Sequence, residues 1–532
     1  MRRWLFAGSC FWLIPVLSVG AHGFGLPPVF AALAGVVGAA VLAWAAARRV
    51  AAALHTPDRL PRVYYGALLL AAVIAIVRIA SLSVYIADVR HSEYSVQPED
   101  DFRRPHSCVS AYSESARLLA EGVSDIYDRE HYRSGGAQRM IGPLRVDPYH
   151  YPPTFLLLPQ ALRLAAPTFW DFRRVWFALQ ALVLAGAIFG IAAWIGGRTG
   201  TIALLAGVVV LALPQAAATF QQGNFQITAV PLAVVAFVLL MAGRPALGGG
   251  VLAWAALAKI FPGILVVPLL TARRWRPVAW VAAMGVLLLT ASLWIQGADV
   301  FRTFIHTSLP EISSGAAFPQ TEWATTSRVN WSAYGQTVRA RQLGAEWLTQ
   351  RRGLMIAELY GLAIAIFAAW AGWGARFDLA TAHGRLATAQ VAVALVSLAS
   401  FRSPFVGAAY GIIATLWLMG LLAARSPRRS VQWIAAILLL GLVIAILPSP
   451  GYPPSTMWLV ASGLLVFACM AINAWAVVLF ARPSVQRDVK SAVPDEEEMA
   501  ARTGQSDGWN VRLRATMRAF RGNWAPAHGG VR

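Results

Sequence analysis

The stretch RRWRPVAWVAAMGVLLLTASLWI (273–295) decides the fold. Eighteen residues, Val278 to Ile295, carry no charge, and Arg273, Arg274 and Arg276 stand directly before them. A bilayer core takes about 20 apolar residues to cross as a helix, and arginines collect on the cytoplasmic side of such crossings. Working outward, thirteen more apolar runs appear, at about 4–20, 29–47, 64–87, 151–166, 174–195, 200–217, 225–242, 249–270, 354–373, 386–401, 405–424, 431–448 and 457–481. The composition agrees: of 532 residues 58% are hydrophobic and 13% charged, with a mean hydropathy of +0.57. A soluble domain is about 25% charged, so a water-soluble enzyme, a nucleic-acid-binding domain and a disordered chain are excluded. The expected fold is an all-α polytopic integral membrane protein of about 12–14 transmembrane helices, occupying residues 1–481 and followed by a polar cytoplasmic tail, 482–532.

The net charge of +20 belongs to this pattern rather than to nucleic acid, since the arginines cluster at the ends of apolar runs. Arg48, Arg49, Arg59 and Arg62 mark one expected inner loop, Arg173 and Arg174 a second, the 273–276 arginines a third, and Arg425, Arg428 and Arg429 a fourth. An even number of crossings puts both termini in the cytoplasm. Trp4 to Gly20 reads as an uncleaved span rather than a signal peptide. Cys10, Cys108 and Cys469 are too few for a disulfide framework and read as free thiols. Three runs are irregular: 151–166 is short, Pro214–Pro231 encloses Gln221, Gln222, Gly223 and Asn224, and 249–270 carries Lys259 and Pro262. The second reads as a broken or re-entrant element and the third as a possible hairpin. Two long loops then fall outside, about 88–150 and 296–353, the first holding 11 of the 25 acidic residues. Within it, the residues from Ser113 to Leu119 read as an amphipathic helix lying on the membrane.

Candidate chemistry lies at the edges of these runs. Glu99-Asp100-Asp101-Phe102 opens the first outer loop; neighbouring carboxylates and partial desolvation would raise one pKa toward that of a general base, and the alternative is a solvated acidic turn. Asp88 is a second candidate. The loop ends in Asp147-Pro148-Tyr149-His150-Tyr151-Pro152-Pro153, where the prolines open a helix and the rings either bind substrate or anchor the interface. Lys259 is an ionisable group inside an apolar run, by default a site, with snorkelling as the alternative. Arg402, in Arg402-Ser403-Pro404, is either a phosphate fork or an interfacial anchor. The spacing shows no metal-ligand cluster, nucleotide-binding loop or internal repeat.

In order along the chain stand the Asp-Phe start, Ala116–Leu119 with Glu121-Gly122, Ile126-Tyr127-Asp128, YPPTFLLLP (151–159), QGNFQ (222–226) and AKIFPGILVVPLL (258–270). Together this set resembles the polyprenol-phosphate-mannose-dependent mannosyltransferases, glycosyltransferase family 87, of the glycosyltransferase C fold. The likeness runs from about Asp100 to Tyr410, and Asn330-Trp331-Ser332-Ala333-Tyr334-Gly335 resembles a segment of bacterial members. It implies an inverting transfer of a hexose, mannose first, from a polyprenyl-phosphate donor to a hydroxyl of a glycolipid or glycan, at the outer face of the cell's inner membrane. It further implies Asp101 or Asp100 as general base. Lys259 and Arg402 are then expected at the donor phosphate, and His150, Tyr151, Gln222, Asn224 and Tyr334 at the substrates. No cofactor, metal or nucleic-acid partner is expected; membrane lipids are. This chain departs from the pattern in placing Arg103 to Cys108 between the aspartate and the following helix. The alternative reading is a transporter or flippase for a lipid-linked sugar, which broken helices and Lys259 would also suit.

Overall fold

A computed structural model describes residues 11–50, 62–96, 104–317, 330–374, 377, 379–426, 429–446 and 455–481. The described residues are almost wholly helical; their strands are two short antiparallel hairpins, Arg133–Ser134 with Ala137–Gln138 and Met140–Ile141 with Leu144–Arg145. Six helices among the described residues are long and apolar enough to cross a membrane: Leu69–Ala87, Phe169–Ile195, Trp275–Gln296, Gln350–Trp373, Ala382–Ser400 and Thr456–Ala481. Gly197–Ala212 and Pro214–Gln222, bent by 64° at Leu213, make a seventh as a broken span. Further apolar runs of the expected 12–14 form shorter helices among the described residues. Ile14–Gly23, Gln226–Met241 and Phe261–Thr271 are apolar helices below full crossing length.

The spans differ in what they face. Within the apolar window of Ala382–Ser400, 72% of residues are buried, against 6% for Trp275–Gln296. Val286, Leu287, Trp294 and Ile295 stand exposed on the latter. Such a row of large apolar side chains has no place against water; it is the surface a bilayer covers. Close helix crossings run through glycine, as in membranes generally. On the Pro245–Lys259 helix, a Cβ at Gly248 would lie 2.7 Å from the Ala236 carbonyl oxygen, and one at Gly249 would lie 2.9 Å from Trp280. That helix is therefore seated between Gln226–Met241 on one side and Trp275–Gln296 on the other.

Two irregular runs alter the expected path and cancel each other. The 151–166 run is a 3-10 turn, Pro153–Leu156, and a nine-residue helix, Leu157–Ala165, about 14 Å long and so far short of a bilayer. The Phe169–Ile195 helix consequently starts at the same end of the bundle where Arg62–Ala87 finishes. Arg173 bonds the Tyr85 and Ile86 carbonyls at 3.1 and 3.0 Å, and Arg174 the Ala87 carbonyl at 2.7 Å. These two arginines cap a helix C-terminus beside the 88–150 loop; they do not mark an opposite, inner loop. The 249–270 run is instead two elements, Pro245–Lys259 and Phe261–Thr271, meeting at Ile260. Lys259 thereby returns to the end that carries Asn224 and Cys108. Gln296 also bonds Gln160 at 3.1 Å at that end. The Ser113–Leu119 segment is corrected as well: the Cys108–Ala120 helix is buried on nearly every face rather than lying on a membrane surface.

Candidate functional site

At that end, residues from five parts of the sequence meet. Pro262 cannot donate to the Ala258 carbonyl and its ring crowds the preceding turn, so the helix stops at Lys259. Ile260 then adopts φ +49°, ψ −57°, a strained region for a β-branched residue, and leaves its side chain 62% exposed. The lysine sits at a helix C-terminus, where the dipole favours a cation. Its Nζ lies 3.2 Å from Asn224 Oδ1 and 5.4 Å from the centre of the Tyr151 ring, a cation–π contact of about 0.5–2 kcal/mol.

Asn224 is oriented by its backbone neighbours. Gly223 at φ +66° ends the Pro214–Gln222 helix in a left-handed turn, and its carbonyl accepts from Trp176 Nε1 at 3.0 Å. Asn224 Oδ1 accepts from the Gln226 N–H at 2.9 Å, which fixes the amide with its oxygen toward Lys259 and its Nδ2 3.5 Å from Cys108 Sγ. The Tyr112 hydroxyl accepts from Phe225 N at 3.3 Å and donates to the Tyr151 hydroxyl at 2.9 Å. Thr154 Oγ1 donates to the Leu257 carbonyl at 2.8 Å, pinning the Tyr151-Pro152-Pro153 turn to the last turn of the lysine helix. Tyr112, Tyr149, Tyr151, Phe155, Trp176 and Phe225 pack as one aromatic cluster around these groups.

A chain of polar groups leads away from the lysine. Arg145 N donates to the Pro105 carbonyl at 2.8 Å, which draws the loop's two ends together. His106 Nδ1 then stands 3.1 Å from Asp147 Oδ2, and its Nε2 stands 3.6 Å from Cys108 Sγ. The order is Asp147, His106, Cys108, Asn224, Lys259. Burial opposes charge on His106, but Asp147 and Cys108 outweigh it and hold its pKa well above the ordinary value. His106, Cys108 and Asp147 also place one ligand atom each within 4.8 Å of one another, a nitrogen, sulfur and oxygen set of the kind divalent metals accept. No metal-ligand spacing is visible in the sequence, because the third member lies 39 residues beyond the second.

The remaining expected residues fall as follows. Asp100 and Asp101 lie outside the described residues. Asp88 is bound by Arg90 at 2.6 Å, and that side-chain hydrogen bond takes its pKa down to about 2, too low for a general base near neutral pH. Burial, with Arg129 nearby, lowers His150 to about 4 against the pull of Asp147; it is a neutral ring, not a phosphate cation. Gln222 is buried one residue before the glycine turn. Arg402 is half exposed and paired with the exposed Glu358 at 2.8 Å. Tyr334 is buried in a separate small cluster with Val338 and Ala357. Its segment is fixed elsewhere: Asn330 Nδ2 donates to the Pro404 carbonyl at 2.7 Å and Ala333 N to the Phe401 carbonyl at 2.8 Å.

Residues 149–404, which include Tyr151, Asn224 and Lys259, match the model of glycosyltransferase family 87. The chain carries a glycosyltransferase family 87 domain over these residues. No curated protein and no solved structure matches. With that domain and its membrane-spanning helices the protein is a membrane glycosyltransferase, and the Lys259 cluster lies where the matched region meets the 88–150 loop.

Proposed function

We propose that this chain transfers a hexose, mannose first, from a polyprenyl-phosphate donor to a hydroxyl of a glycolipid or glycan, at the extracytoplasmic face of the inner membrane. The observation that carries the reading is Lys259, held by Asn224 over the Tyr151 ring at the end of an apolar helix. As the glycosidic bond breaks, charge grows on the leaving phosphate, and a fixed ammonium stabilises that state more than the ground state. Asp101 or Asp100 takes the proton from the acceptor hydroxyl as its oxygen attacks the anomeric carbon with inversion. In support, Val96 N donates to Gln221 Oε1 at 2.6 Å and the Arg104 carbonyl accepts from Tyr85 at 3.0 Å, so the chain on both flanks of these aspartates is held near the cluster. Tyr151, His150, Gln222 and Asn224 offer neutral rings and amides to sugar hydroxyls. Arg402 stays a second candidate for the donor phosphate, which would have to displace its exposed partner Glu358.

The test is transfer from radiolabelled polyprenyl-phosphate hexose by purified protein, beside Asp100→Asn, Asp101→Asn and Lys259→Met. One aspartate variant should lose about 10²–10⁴-fold in kcat, and Lys259→Met about 10²-fold or more. Unchanged turnover in all three would overturn the reading. The bent pair at Leu213 is the feature that suits a transporter of lipid-linked sugar. That reading requires lipid movement to fail in the aspartate variant, whereas a transferase keeps whatever movement it supports.

A further inference from the structure

Arg339 is the most unusual buried group outside the Lys259 cluster. It lies on the Ala333–Gln342 helix and is 2% exposed. Its Nε, Nη1 and Nη2 are all buried without a hydrogen-bond partner. One turn earlier on the same face, Gln336 Oε1 is also buried and unpartnered. The contact the guanidinium does make is with the Trp458 ring, 5.7 Å from its centre. A charge taken out of water is tolerated only when paired and hydrogen-bonded. Arg173 shows what this chain does with a buried arginine when it serves as a brace: it gives it carbonyls.

We propose that Arg339 holds the phosphate of an anionic membrane lipid, at a site separate from the Lys259 centre. The planar guanidinium, with its donors in a fixed fork, matches a phosphate bidentately. Depth identifies the source of the phosphate. The Ala333–Gln342 helix stands just ahead of one candidate span, Gln350–Trp373, and Trp458 is the third residue of another, Thr456–Ala481. The guanidinium is therefore level with the start of two spans, where headgroups lie and tryptophan collects. The Gln336 amide oxygen points to the same Thr456–Ala481 helix, 3.8 Å from where a Cβ on Gly463 would stand, and would accept from a headgroup hydroxyl. This assignment does not depend on the proposed transfer reaction.

The experiment uses the full chain, delipidated in a non-ionic detergent. Retention of phosphatidylglycerol, phosphatidylcholine and inorganic phosphate is read by native mass spectrometry, together with thermal unfolding. Wild type is expected to keep and be stabilised by phosphatidylglycerol. Arg339→Met should bind it about tenfold less or weaker and, having lost an unpartnered cation, should melt no lower than wild type without lipid. Arg339→Lys, which keeps the charge and loses the fork, should fall between them. Arg351→Met, an exposed arginine at the start of the neighbouring span, should behave as wild type. Stabilisation by inorganic phosphate as well would leave the anion site standing and name free phosphate as a sufficient occupant. Equal lipid retention in Arg339→Met and wild type would overturn the proposal. So would a lower lipid-free melting point in that variant, since the guanidinium would then be paired within the chain.

Discussion

His106 links a carboxylate to a thiol through its two ring nitrogens, and this gives the site a pH signature. Its folded pKa is raised above the ordinary 6.5 because Asp147 and Cys108 outweigh the burial that opposes its charge. A raised pKa contributes stability that is full below the unfolded value and lost as pH rises through the folded one. Thermal unfolding of wild type should therefore weaken as pH climbs above about 6.5, while His106→Gln should be flatter over that window and differ most at its acid end. Parallel curves would show that the imidazole carries no such charge. Lys259, Asn224 and Tyr151 are legible from sequence, since an ionisable or amide group inside an apolar run is costly and stands out. His106, Cys108 and Asp147 are not, because long-range bonds bring them together: Arg145 N to the Pro105 carbonyl and Asp147 N to Ser110 Oγ. Arg339 carries no local signal at all: an arginine on a polar helix is ordinary until its burial is known.

The helix that delivers Lys259 depends on two adjacent glycines with opposite duties. Gly249→Val would drive a side chain into Trp280, 2.9 Å from the first added carbon, at about 1–3 kcal/mol, and should lower both thermal stability and transfer as the lysine shifts. Gly250→Ala meets nothing nearer than Met284 at 3.9 Å and should be neutral or stabilising by about 0.5–1 kcal/mol. Loss of function in the second variant, or none in the first, would contradict this seating of the helix. The elements themselves are readable where apolar runs are long and uninterrupted, as at 278–295. They are misread where proline intervenes: Pro152 and Pro153 start the 151–166 run as a 3-10 turn and leave only Leu157–Ala165 as its helix, and Pro262 divides another run in two. Length alone could flag the first, but the pairing of the two changes follows from contacts such as Lys259 with Asn224.

For the whole molecule, membrane residence and an all-helical architecture follow from composition, and the nearly bare Trp275–Gln296 helix bears this out beside the buried Ala382–Ser400. Both irregular runs change the path without changing which end of the bundle finally carries the 296–315 segment, because one lost crossing is offset by one gained. Among the described residues six or seven helices are long and apolar enough to cross, with further shorter apolar helices beside them. The family 87 domain makes the chain a glycosyltransferase; that a lipid phosphate is the leaving group is our proposal, argued from the Lys259 cluster. The most direct measurement offers the purified protein two mannose donors of equal concentration, polyprenyl-phosphate-mannose and a nucleotide-diphosphate-mannose, with a glycolipid acceptor. Product from the lipid-linked donor alone, lost with Lys259→Met, is the expected result, and product from the nucleotide sugar without any lipid donor would contradict it.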